Sequence, residues 1–169
     1  MHEHEPPRIL VLGVGNILFS DEGVGIRVIE AIQERYAFPA HVTVKDGGTL
    51  GIHLLGTISP VDYLIVVDVI RNGGQPGSLY RITGDAIPKR IFAKNSLHDV
   101  DFLEALTLCQ ALDGVPETVI VGVEPVDIES VSIALTPLIQ EKVDPLIEMV
   151  LAELEALGVK PEMTAERIT

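Results

Sequence analysis

Apolar residues fall along this chain in short runs separated by amphipathic stretches. Residues 8–13 (RILVLG) form the first run, which reads as a buried strand followed by the loop VGNILFS. From about residue 21 to 35, Val24, Val28, Ala31 and Ile32 recur at helical spacing, so a helix is expected there with Ser20 as its N-cap. A second strand at 42–45 (VTVK) is stopped by Asp46-Gly47-Gly48, and a short helix is expected over 51–57. The clearest central strand is 63–67 (YLIVV), which ends at Asp68. After the loop RNGGQPG at 71–77, a further strand is expected over 78–82. Ser96 and Asp99 have the spacing of a capping box, ahead of a helix whose Phe102, Leu103 and Leu106 face the core. Residues 118–123 (TVIVGV) make the last strongly apolar strand. Thr136-Pro137 marks the start of a closing helix, Pro145 predicts a kink or restart in it, and Gly158 ends it.

Strands and helices alternating at this spacing predict an α/β chain: a three-layer α/β/α sandwich around a twisted, mostly parallel sheet of about five strands. One domain is expected over 8–158, with flexible tails at 1–7 and 159–169. In such sheets ligands bind beyond the carboxyl ends of the strands. That rule directs attention to the segments after Gly13, Val44, Val67 and Val123, which hold Glu22, Asp46, Asp68 and Glu124.

Composition narrows the class. The 169 residues are 47% hydrophobic and 22% charged, a globular balance, with few aromatics and no Trp. No apolar run approaches the roughly 18–20 residues of a membrane span. The opening MHEHEPP lacks the basic and apolar regions of a secretory signal. A single cysteine, Cys109, leaves no partner for a disulfide or a CxxC pair. A cytoplasmic location is expected. With 25 Asp and Glu against 12 Lys and Arg, the net charge of −13 repels nucleic acid and anionic membranes. The expected partner is a neutral or basic polypeptide, or a metal cation.

Gly13-Val14-Gly15 after a first strand invites a dinucleotide reading, but Leu18 stands where a third glycine is wanted. Asp21 and Glu22 would also occupy the place of a pyrophosphate at the helix start. Those carboxylates suit a cation better, and matching of charge to the helix end is the structural alternative. Asp68 ends five apolar residues, so its carboxylate must be paired, hydrogen-bonded, metal-facing or held in a local turn. His98, in the first turn of its helix, is expected to be neutral and able to donate a lone pair. Glu22, Asp68 and His98 together have the character of a mixed oxygen and nitrogen metal site. There is no GxSxG elbow and no HExxH, and Cys109 reads as a buried structural thiol. A hydrolase built here must use a metal, or carboxylates that activate water.

GVGNILFSDEGVG at 13–25, DGGT at 46–49, VVD at 66–68, SLHD at 96–99, VGVEP at 121–125 and LTP at 135–137 resemble the nickel–iron hydrogenase maturation endopeptidases, over roughly residues 8–158. The resemblance implies a twisted sheet flanked by helices. It also implies an endopeptidase that removes a C-terminal extension from the hydrogenase large-subunit precursor once nickel is inserted. The family's metal-contacting residues fall on Glu22, Asp68 and His98. Nickel would then be supplied by the substrate, with no permanent metal in the enzyme. Asp46 is a further candidate, to orient water or the scissile peptide, against a local role in bonding its glycine turn. A noncatalytic nickel-checking chaperone on the same fold is the alternative reading.

Overall fold

The structure is a computed structural model that describes residues 4–48, 61–83 and 116–164. Strand β1 (Ile9–Val14) leads through a 3-10 turn (Ser20–Gly23) into α1 (Val24–Arg35). Strands β2 (Tyr36–Ala37), β3 (Val42–Gly48), β4 (Tyr63–Val69), β5 (Leu79–Thr83) and β6 (Glu117–Val123) follow. The chain then forms α2 (Pro137–Gln140), α3 (Val143–Ala156) and β7 (Glu162–Met163). The main sheet has the order β3-β1-β4-β6-β5, parallel throughout except for β5, which runs antiparallel to β6.

The central strands are apolar at nearly every position because both faces of the sheet are covered. Ile9 and Val11, with Ile65, Val67, Val121 and Val123, face α1 and α3. Leu10, Leu12, Leu64, Val66 and Ile120 face the opposite side, where they are equally buried. Period-two alternation thus sorts one apolar run into two cores, as a three-layer α/β/α sandwich requires. The expected helices at 51–57 and after Ser96 lie outside the described residues, as does Cys109. No helix among the described residues is long and apolar enough to cross a membrane.

Several element boundaries differ from the sequence reading. The first helix begins at Val24, not Asp21, and Ser20 does not cap it: its hydroxyl donates to Ala134 O at 3.2 Å. Strand β3 continues past Lys45 because Gly47 is accommodated as a bulge between the Gly13↔Asp46 and Val14↔Gly48 pairs. The closing helix restarts as expected, with Pro145 in the first turn of α3, where a missing N–H costs no intrahelical bond.

The chain beyond Val159, expected to fray, is docked as far as Thr164. Strand β7 pairs with β2, and Thr164 N–H donates to Arg35 O at 3.0 Å. The docking starts at the end of α3, where Val159 N–H reaches Leu154 O and Gly158 N–H reaches Glu155 O, both at 2.9 Å. This pair of bonds is a Schellman cap, and it tucks Val159 into the core beside Leu154. Gly158 has φ +83, with nothing near the position of a Cβ. Gly158→Ala should therefore cost only the left-handed backbone penalty, about 1–2 kcal/mol. A lowered denaturation midpoint with an unchanged slope would show it.

Candidate active site

The strand order points to a candidate site before any side chain is considered. From β1 the chain passes through α1 to β3 on one side, whereas from β4 it goes on to β5 and β6 on the other. The connections leaving β1 and β4 therefore diverge, which makes a topological switch point, the place where sheets of this kind bind ligands beyond the carboxyl ends of their strands. Glu22 lies on the connection that leaves β1, and Asp68 is the next-to-last residue of β4.

Glu22, only 8% exposed, is carried by the 3-10 turn Ser20–Gly23, which packs against β4. Two close approaches fix the turn. A Cβ on Gly15, at φ +147, would stand 1.9 Å from Glu22 O. A Cβ on Gly25, one turn further on, would stand 2.3 Å from Val67 O, immediately before Asp68. Ser20 holds a left-handed φ of 50°, a conformation that costs a non-glycine residue about 1–3 kcal/mol and persists only when its surroundings impose it.

The surroundings here include Asp21, whose side chain is wholly buried. Its Oδ2 accepts the N–H groups of Val126 and Asp127, each at 2.9 Å. Oδ1 accepts the Thr136 N–H at 2.8 Å, and the Thr136 hydroxyl donates across both oxygens. Thr136 was thus read correctly as preceding a helix, but its hydroxyl serves Asp21 and makes no cap. The acidic pair divides its work: Asp21 faces inward as an anchor, and only Glu22 remains a candidate for the reacting site.

Asp68 is 5% exposed, pairs across the sheet with Gly122, and accepts the N–H of Val69 through Oδ1 at 2.8 Å. Asp46 pairs with Gly13 of β1, so a strand separates it from β4, about 10 Å at the usual strand spacing. Its Oδ1 accepts the Gly48 N–H at 2.8 Å, the local role in the glycine turn considered above. His98 lies outside the described residues. Among those described, no group of three or more His, Cys, Asp or Glu could hold a metal ion.

Glu124, at the end of β6, organises the loop that follows Asp68. Its carboxylate accepts the N–H groups of Asn72 and Gly74 and the Tyr80 hydroxyl. A cleft of about 510 Å³ opens between Arg71–Gly74 and Glu124–Glu129. On its rim, the Ser130 hydroxyl, followed by the Ser130 and Glu129 N–H groups, holds the Asp127 carboxyl below its usual pKa. Glu124 was visible in the sequence as a strand-end carboxylate. Its role as a clamp on 72–80 was not, because the partners lie 44 to 52 residues away.

Comparison with known proteins agrees with this architecture. The sequence profile of the HycI hydrogenase maturation protease family matches residues 26–153, most of the chain. The chain belongs to that family. The chain is also similar to the hydrogenase expression/formation protein HupD of Thiocapsa roseopersicina, 40% identical over 155 residues, which cover 90% of this chain and 70% of the relative. The hydrogenase 2 maturation protease of Escherichia coli is 37% identical over 155 residues, with 90% of this chain and 94% of that one covered. Among solved structures, the hydrogenase maturating endopeptidase HybD from E. coli superposes with a TM-score of 0.90 at 36% identity, covering 94% of this chain and 99% of that one. As a maturation protease of this family the chain is a peptidase, and the expected fold and activity both hold.

Proposed function

We propose that this protease removes the C-terminal extension from the large-subunit precursor of a nickel–iron hydrogenase after nickel insertion. The observation that carries the reading is that Glu22, on the connection leaving β1, and Asp68, near the end of β4, lie on the two neighbouring elements that flank the switch point, in a chain of this family. Glu22, Asp68 and His98 then read nickel held by the precursor, and the scissile peptide is fixed beside them. A water held by a carboxylate attacks the peptide carbonyl, which makes the enzyme of aspartyl type in its chemistry although it lacks a D-T/S-G motif. Asp46, whose Oδ1 holds the β3 bulge, is the candidate to orient the water or the peptide from the neighbouring edge.

Nickel dependence then belongs to the substrate. Scattered oxygen donors bind divalent ions weakly where nitrogen and sulfur ligands are few, and the precursor supplies what is missing. The test is precursor mass against time for chelator-stripped or metal-supplemented enzyme, each with nickel-loaded or empty precursor. Stripped enzyme should cut loaded precursor at the full rate and leave empty precursor whole. Activity that returns only when the enzyme itself is preloaded with nickel or zinc would make it a conventional metallopeptidase. Capture of loaded precursor without any change in mass would mark it as a nickel-checking chaperone.

A further inference from the structure

We propose that Asp21 is a positioning residue for the peptidase reaction, its carboxylate locking the turn that carries Glu22 onto the segment that forms one wall of the cleft. The inference rests on the reading of Glu22 given above.

Ordinary surface acids do not have the surroundings of Asp21. The side chain is 0% exposed, and its two oxygens take three backbone N–H groups and one hydroxyl, drawn from Val126, Asp127 and Thr136. These donors lie 105 to 115 residues away in sequence. Backbone bonds continue the seam on either side: Ser20 N–H to Ser132 O at 2.8 Å, Ser132 N–H to Leu18 O at 2.9 Å and Asp21 N–H to Asp127 O at 2.9 Å. Residues 18–21 and 127–136 are thus zipped together, and the carboxylate grips both ends of the second segment, at Asp127 and Thr136.

The consequence reaches Glu22 directly. Ser20 is held at positive φ just before Asp21, and Glu22 follows it in the same turn. Val126 and Asp127, held by Asp21 Oδ2, also line the cleft. Farther along that wall, Glu124 grips the loop that follows Asp68. Two buried carboxylates therefore link the carrier of Glu22 to the loop after Asp68 through a single segment. Loss of the Asp21 grip frees the turn to relax and shifts Glu22 without touching it. Displacement of a reacting group by about 1 Å can cost up to a hundredfold in rate.

Asp21→Asn keeps the volume but turns an amide toward N–H donors, whereas Thr136→Val removes only the hydroxyl donor and Thr136→Ser restores it. Each variant is assayed for kcat/KM on nickel-loaded precursor, per folded molecule, well below its own unfolding temperature, with Glu22→Gln alongside. Asp21→Asn should lose about tenfold or more, Thr136→Val should show a smaller loss, and Thr136→Ser should match the parent. If Asp21→Asn does not fold, the Thr136 pair decides alone. Parent-like kcat/KM in Asp21→Asn or Thr136→Val, at whatever unfolding temperature, would reduce Asp21 to a structural acid while Glu22→Gln stays inactive. A fully active Glu22→Gln would instead overturn the site itself.

Discussion

Gly25→Ala is expected to leave little or no folded protein. Gly25 opens α1 at the point where the helix crosses β1 and β4. An added Cβ would stand 2.3 Å from Val67 O and 2.6 Å from Val14 O. Both are backbone oxygens of central strands, so neither can swing aside as the end of a flexible side chain would. Across the same gap, a Cβ on Gly13 would stand 2.5 Å from Gly25 O, so the helix and β1 meet through two glycines. Alanine improves helix propensity by only about 1 kcal/mol over glycine. Overpacking of this kind costs about 3 kcal/mol or more when the neighbours are backbone. The steric cost wins, and it is a large part of the roughly 5–15 kcal/mol that holds a domain together. Soluble yield and the thermal midpoint are the measurements, with Gly158→Ala as the mild comparison. A Gly25→Ala protein melting within a few degrees of the parent would mean that α1 stands farther from the strands than described. The Glu22 turn just before it would then be misplaced as well.

The sheet was legible in the sequence because its signal is local. The apolar runs at 8–13, 63–67 and 118–123 announce strands buried on both faces, and each stands within a residue or two of its expected bounds. Errors gather where a long-range contact outbids a local rule. Ser20 has the residue type of a helix cap but bonds Ala134, and Thr136, correctly placed as the N-cap residue, gives its hydroxyl to Asp21 and makes no capping bond. Capping preference is worth about 1 kcal/mol, and a buried carboxylate in need of donors outweighs it. The tail after Gly158 looked free because nothing in VKPEM announces a strand, and its partner is a two-residue edge at Tyr36–Ala37. Strand-end placement selected Glu22, Asp68, Asp46 and Glu124 as candidates, but it could not tell an anchoring carboxylate from a candidate reacting group. That division depends on which donors the fold brings to each carboxylate, information carried by residues more than forty positions away for Asp21 and Glu124.

Asp68→Asn should abolish processing while leaving the fold in place. Asp68 is a buried acid inside a parallel strand, where an apolar residue would stabilise the sheet more, so its presence there calls for a reason. One reason on view is the 2.8 Å bond it accepts from the Val69 N–H. An asparagine of almost the same volume keeps an acceptor for that bond, removes the charge and turns the second oxygen into an amide donor. If the bond were the whole role, Asp68→Asn would still cut precursor near the parental rate. If the carboxylate faces the precursor's nickel and scissile peptide at the switch point, turnover should fall by about a hundredfold or more, with the unfolding midpoint little changed. Glu22→Gln, on the connection that leaves the neighbouring strand β1, should fall as far. The double variant should be hardly worse than either alone, because groups that act as one unit lose their effect together. Precursor mass against time reads the rate, and circular dichroism against temperature reads the fold. Near-parental cleavage by Asp68→Asn with a normal melt would return Asp68 to a role in the strand, and the reacting carboxylate would have to be sought elsewhere along the same edge.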